Sequence, residues 1–286
     1  MECVFRMETL VFNGNWTALS PIHHGGSNDF GNTKLILTLP MIIKNHLNNN
    51  VEIDYIPTIH GNAVRGYLRR LLMDDFLTCL DYELDSKKVY HFLFTGGILE
   101  SLNNNDKGSI NLSLKKELRD FIPPISLLGS ALGNQMIQGK LKVGMGYLVC
   151  DETKHYFKNY DDADVFSAYN LKNTDFGIRL DDLKDSSDDE VHQMKYEFET
   201  LIMGSKFFHQ FVLEDCNDVE KSCFSHMFKL WCERPYIGGK SSVGYGKLSL
   251  DYPSINVLED NLYLNYLEDN KEDITNCLDR LVETWK

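Results

Sequence analysis

Asn62, Arg65 and Arg69 lie three and four residues apart within Ile59-His-Gly-Asn-Ala-Val-Arg-Gly-Tyr-Leu-Arg-Arg70, so on a helix they stack along one face. Away from them Val64, Leu68, Leu72, Phe76 and Leu80 recur every four residues as an apolar stripe. Gly61-Asn62 opens this helix, where free backbone N–H groups and the dipole favour an anion. Gly66, on the arginine side, removes a side chain where another backbone can come close. The pattern suits phosphate binding; its plainer reading is a solvated basic face balanced by Asp74 and Asp75.

A second stretch, Pro235-Tyr-Ile-Gly-Gly-Lys-Ser-Ser-Val-Gly-Tyr-Gly-Lys247, is glycine-rich and leads into a strand-like run. It is no Walker loop, because Arg234 stands where that pattern needs its first glycine and no helix follows. Its glycines, Ser241, Ser242 and Lys240 can still lay donors along phosphates, and Tyr236 and Tyr245 offer rings for base stacking. Read blandly, it is an elaborate hairpin turn. A third stretch, Ser20–Asn32, carries His23, His24 and Asp29, a set compatible with metal binding, acid–base work or a structural loop. Cys216, Cys223, His226 and Cys232 are soft ligands close in sequence, but their spacing fits no zinc finger, and all but Cys216 fall on one helix, Asp218–Glu233. No cofactor or metal is expected.

The elements that must position these groups alternate in type. Met7–Ala18 reads as an opening strand, Ser20–Asn32 as a loop, and Lys34–Ile43 as a second strand. Asn45–Asn50 is a polar turn, and Val51–Ile56 is extended and closed by Pro57. Lys140–Cys150 alternates as a strand with Leu141, Val143, Met145, Tyr147 and Val149 on one face. Tyr196–Met203 and Phe207–Leu213 are strands joined at Gly204-Ser205. A last helix aligns Ile274, Leu278, Leu281, Val282 and Trp285. The order points to an α+β fold with antiparallel hairpins. Asp151–Glu190 stands apart as a polar insertion with twelve acids and five bases.

The 286 residues allow a core that needs no disulfides, and seven scattered cysteines without CxxC spacing suit a reducing compartment. With no basic-then-apolar leader and no long apolar run, a cytoplasmic protein without a membrane partner is expected. The formal charge of −13 argues at first against a nucleic-acid partner. It resides wholly in two segments, however: Asp151–Glu190 at −7 and Asp251–Lys286 at −6, leaving the other 210 residues neutral.

Together these stretches resemble the CRISPR-associated RAMP superfamily. Its Pro-x-x-x-Gly-Asn/Ser-x-x-Arg-Gly-x-Leu-Arg run is matched by Pro57–Arg70, and its C-terminal glycine loop by Ile237–Gly246. Leu93–Leu99, Pro123–Asn134 and Gln193–Glu199 are similar to the large backbone subunit of class 1 effector complexes, most of all the type IV kind.

The resemblance implies a ferredoxin-like, RNA-recognition-type core over 1–150 and 191–255 with helical elaboration. It also implies a thumb at 151–190 and a helical tail at 256–286. It implies a non-enzymatic subunit that binds guide RNA (crRNA), polymerises with copies of itself, joins other Cas subunits and meets target nucleic acid through guide pairing. Asn62, Arg65, Arg69, Arg70, Gly238, Gly239, Lys240, Ser241, Ser242, Gly244 and Tyr245 would hold the guide, with His23, His24 and, in the thumb, Arg179. Type III relatives cut target RNA with an Asp in the loop after the first strand, where Asp29 lies, so an Asp29 endoribonuclease is the first alternative. A stand-alone RNA-processing enzyme using His23 or His24 is the second.

Overall fold

Phe12, Gly14, Trp16 and Ala18 alternate with exposed or half-buried residues, and this period-two pattern builds the first strand of a sheet whose inner face carries the core. The computed structural model describes residues 8–44, 51–97, 111–132, 135–157, 165–179, 194–255 and 259–285. In chain order the strands are β1 (Thr9–Ala18), β2 (Gly25–Phe30), β3 (Thr33–Ile36), β4 (Thr38–Lys44), β5 (Val51–Ile59), β6 (Ser130–Leu132), β7 (Gln135–Ile137), β8 (Leu141–Val143), β9 (Gly146–Val149), β10 (Lys172–Arg179), β11 (Met194–Leu201), β12 (Lys206–Glu214) and β13 (Leu248–Asp251). The helices are α1 (Gly61–Leu80), α2 (Lys87–Tyr90), α3 (Leu112–Phe121), α4 (Pro123–Leu128), α5 (Asp218–Glu233), α6 (Asn261–Asp269) and α7 (Lys271–Thr284).

The main sheet runs β13-β1-β12-β9-β5-β4, with β8 also paired to β12. Reading β1, α1, β8/β9, β12, α5 and β13 in turn gives the ferredoxin-like βαββαβ order, with the first and third of its strands central. β1 and β12 pair antiparallel from Thr9↔Glu214 to Thr17↔Lys206. Trp16 meets Trp231 of α5 edge-on at 5.5 Å, and Phe12 meets Phe224 at 5.2 Å, so α5 covers the inner face. The stripe Val64, Leu68, Leu72, Phe76 and Leu80 is buried as its spacing requires. A capping box at Asn217 and Glu220 starts α5, whose bounds are those the sequence predicts.

A second sheet, β10-β11-β3-β2, is antiparallel except for the β11–β3 pair, and β6–β7 forms a small ribbon. Several sequence expectations are revised here. Ser20–Asn32 is not wholly a loop, because β2 occupies its second half. Lys34–Ile43 breaks at Leu37: β3 enters the second sheet, while β4 pairs with β5. Pro57 does not close β5, which runs on to Ile59. It sits opposite Thr38, where β5 exchanges β4 for β9 as its neighbour.

Lys140–Cys150 is two strands. Between the pairs Val143↔Phe211 and Tyr147↔Phe208 the first chain carries one residue more than β12, so the inward set passes from Leu141 to Leu148. Although Gly204 turns the chain between β11 and β12, those strands belong to different sheets and form no hairpin. Of the polar insertion, Asp151–Phe157 is a turn and β10 joins the second sheet; Asn45–Asn50 and the 180–193 stretch lie outside the described residues. The tail packs on the body: Tyr263, Ile274 and Leu278 are buried in the common core. Among the described residues no helix is long and apolar enough to cross a membrane.

One buried polar chain locks the centre. Trp16 Nε1–H donates to Tyr252 Oη at 2.7 Å, Tyr252 donates to His209 Nδ1 at 2.6 Å, and His209 Nε2–H donates to Gly144 O at 3.2 Å. Burial drives the His209 pKa down to about 3, so the imidazole is neutral and each donor has its acceptor. Gly144 lies in the irregular stretch between β8 and β9. A Cβ on Gly61 would stand 2.5 Å from Gly144 O, so only glycine lets α1 begin this close to the sheet.

Candidate nucleic-acid interface

His60 caps α1: its Nδ1 accepts the Asn62 N–H at 3.1 Å, and its carbonyl accepts the Ala63 N–H at 2.9 Å. The first turn carries no acid. The helix end is therefore open to an anion in charge, while part of its donor set is already engaged. Spacing alone presents those N–H groups as free and passes over His60, although its place directly before Gly61-Asn62 is the N-cap signal.

The arginines divide into two kinds. Arg69 is 5% exposed and donates to three carbonyls: Leu93 O at 3.3 Å, Leu128 O at 2.9 Å and Gly129 O at 2.8 Å. Burial, reinforced by Arg65, lowers its pKa to about 10, so it stays charged at neutral pH. Half-buried Arg65 donates to Leu141 O at 3.0 Å and to Leu128 O, and burial lowers its pKa as well. Among the described residues neither guanidinium meets a carboxylate. Both face a cleft of about 410 Å³ whose wall includes Asn62, Gly66, Gly96 and Gly139. Two of Arg65's five N–H groups are used, leaving donors for this cleft. Arg70 is exposed, its guanidinium reaching back over Gly66. Asn62, in the first turn of α1, is exposed as well.

The plain reading of the arginine face as solvent-facing charge balanced by Asp74 and Asp75 fails. Arg65 and Arg69 look inward to carbonyls, and Asp75 bonds His226 Nε2 at 2.8 Å instead. Next along α1, Tyr67 Oη donates to Arg234 O at 2.8 Å, which brings Arg234 and Tyr236 to the helix. Tyr67's pKa is raised by burial, against the pull of Arg234 and Arg70.

The glycine loop is a structured turn. Gly238, at φ 80°, has no room for a Cβ, which would stand 2.5 Å from His23 O; the Gly239 N–H donates to that carbonyl at 2.8 Å. Lys240 takes the left-handed conformation at φ 64°, then Ser241–Val243 makes a short helical turn closed by Gly244 at φ 93°. Gly239, Ser241, Ser242 and Gly244 are exposed at this tip. Tyr245 is not a free stacking platform. Its hydroxyl donates to Asp175 Oδ2 at 2.5 Å, and that bond, with burial, raises its pKa to about 12.

His23 and His24 join the loop to the helix. His24 Nε2 accepts the His60 N–H at 3.1 Å, and burial, then His60 and His23, lower its pKa, which keeps it neutral. His23 Nδ1–H donates to Glu199 O at 2.7 Å, while its own carbonyl holds Gly239. The two histidines thus serve as a strut between the two phosphate-compatible elements, one of several roles that their sequence context allows.

Asp29 lies on β2, not in a loop, and its carboxylate is ion-paired with Lys34. Among the described residues nothing bonds it to His23 or His24. Arg179 ends β10, and its side chain lies outside the described residues. Of the soft ligands on α5, Cys223 is buried, Cys232 is exposed and His226 turns to Asp75, so they do not converge. No metal-holding group of three such residues occurs among the described residues.

No curated protein matches the sequence. A chain of a solved structure titled "Type IV-B CRISPR Complex" superposes with a TM-score of 0.61 at 18% identity, covering 86% of this chain and 91% of that one, a likeness of fold. The family model described as the RAMP superfamily matches residues 16–249, from Trp16 on β1 to Ser249 on β13, which takes in the helix, the strut and the glycine loop. The chain belongs to the RAMP superfamily.

Proposed function

We propose that this chain is the repeated backbone subunit of a class 1 CRISPR effector ribonucleoprotein, of the type IV kind. It binds guide RNA (crRNA), lines up with copies of itself along it, and presents it to a target nucleic acid and to other Cas subunits. Sequence specificity then comes from base pairing, while the protein reads backbone and shape. The observation that carries this reading is the joining of the α1 N-terminal turn to the glycine loop through His23 and His24. Two elements suited to phosphate stand side by side on one frame. Asn62, Arg70, the remaining donors of Arg65, Lys240, Ser241 and Ser242 form the grip. The 151–190 segment, with Arg179, is the thumb that reaches the neighbouring copy's RNA.

The subunit is non-catalytic in this reading, supported by the commitment of the Asp29 carboxylate to Lys34. Purified protein is expected to carry RNA of defined length, with a raised 260/280 nm absorbance ratio. Arg70→Ala combined with Lys240→Ala is expected to strip it; unchanged RNA content refutes the grip. Assembled complex given complementary labelled RNA and Mg²⁺ is expected to leave it intact. Regularly spaced cuts that vanish in Asp29→Ala would make it an endoribonuclease, and repeat-precursor cleavage by the lone subunit would favour His23 or His24.

A further inference from the structure

Lys240 is a non-glycine residue in left-handed backbone, an arrangement that side chains rarely adopt and that persists where surroundings hold it. What holds it comes from another sheet. Its Nζ lies 4.1 Å from the ring centre of Phe198 and 4.4 Å from that of Tyr196, both on β11, and has no ion pair among the described residues. Phe198 also anchors the rest of the loop. Phe198 meets Tyr245 at 5.5 Å and His23 at 5.2 Å, both edge-on, and Tyr245 is bonded across to Asp175 on β10.

We infer that Tyr196 and Phe198 are positioning residues for RNA binding: they seat the Lys240 ammonium on their ring faces and so preset it toward the phosphate it meets. This rests on the proposed role of the glycine loop. A lysine stem ordinarily spends its rotamer freedom when it binds an anion; a cation already parked on two rings has given up much of that freedom beforehand. Ring faces attract the ammonium without neutralising it, so its full charge stays available, whereas a carboxylate partner would compete with the phosphate. β10 lies within the proposed thumb and β11 follows it in sequence, so strands of the thumb and of its edge also set the loop.

The test is a double-mutant cycle read by fluorescence anisotropy on labelled single-stranded RNA across a salt series. Tyr196→Leu keeps an apolar side chain on a half-exposed position but removes the ring face. It is expected to weaken binding about three- to fivefold with the salt slope unchanged, while Tyr196→Phe binds as wild type. Lys240→Ala is expected to weaken binding and lower the salt slope by about 0.7, the amount that one phosphate left without its cation accounts for on a single strand. In the Tyr196→Leu background the Lys240→Ala effect is expected to shrink. If the two substitutions add independently, or if Tyr196→Phe is as weak as Tyr196→Leu, the positioning role is wrong and the loop's role stands. If Lys240→Ala leaves affinity and slope unchanged, the reading of the loop as an RNA grip falls, and this inference with it.

Discussion

The two halves of the candidate grip present cations in opposite ways. On the helix, Arg69 and Arg65 are held by carbonyls from three separate stretches of chain, so their charge is built into the packing. On the loop, Lys240 rests on ring faces at an otherwise exposed tip. A guanidinium with five fixed donors suits the first task, cross-linking several acceptors; an ammonium on a flexible stem suits the second, meeting a ligand. Arg65 and Arg69 are thus tied into the packing, while Lys240 is seated on rings without an ion pair among the described residues, as the proposed grip requires.

The sharpest way to break that contrast is Arg69→Met. It removes the Arg69 donor from the carbonyls of Leu93 and Gly129 and leaves Leu128 O with Arg65 alone, and a loss of about 2–4 kcal/mol of stability is expected in urea unfolding. Arg69→Lys keeps the charge but cannot fork to all three acceptors, so it should fall between Met and wild type. Stability within about 0.5 kcal/mol of wild type for Arg69→Met would erase the distinction.

Acidification comes next in size. His209 is neutral when folded, with a pKa of about 3 against an ordinary 6.5, so the unfolded chain takes up a proton that the folded one refuses. Stability therefore falls as pH drops below 6.5, by about 1.4 kcal/mol between pH 7.5 and 5.5. His24, also lowered, adds in the same direction, and its protonation removes the acceptor for the His60 N–H. Helix-side RNA contacts should weaken at pH 5.5 more than loop contacts do, as read by comparing Arg70→Ala and Lys240→Ala across that range. Smallest in stability is Lys240→Ala itself, within about 0.5 kcal/mol of wild type in the same urea experiment, since the residue lies at an exposed tip.

The sequence disclosed what local periodicity can encode. The four-residue apolar spacing of α1 and the capped, amphipathic α5 depend on neighbours in the chain, and both form where they read. Leu37 hides the break between β3 and β4 because the run around it is mostly apolar and the choice of sheet is made by distant partners. The extra residue between β8 and β9 is equally hidden, since a period-two pattern can be continued across a one-residue slip. At the site, spacing correctly put Arg65 and Arg69 on one side of α1. That their acceptors lie between 24 and 76 residues away was beyond its reach. Asp175 carried no motif, and Phe198 lay in a stretch noted only as strand and for its resemblance; only the meeting of the second sheet with the loop reveals what they touch.

The pairing of β1 with β12 and β13 has a consequence for how the molecule is made. Thr9 finds its partner at Glu214, and Asn15 finds Asp251, so the central strand emerges from the ribosome long before either neighbour exists. During that interval the Phe12 and Trp16 side chains have no sheet to join, a lag typical of topologies dominated by distant contacts. Since β1 leads into the His23–His24 strut, a chain synthesised only through β1 has no finished frame around the candidate site. Completion of the β1-centred sheet is thereby deferred until β13 has been made.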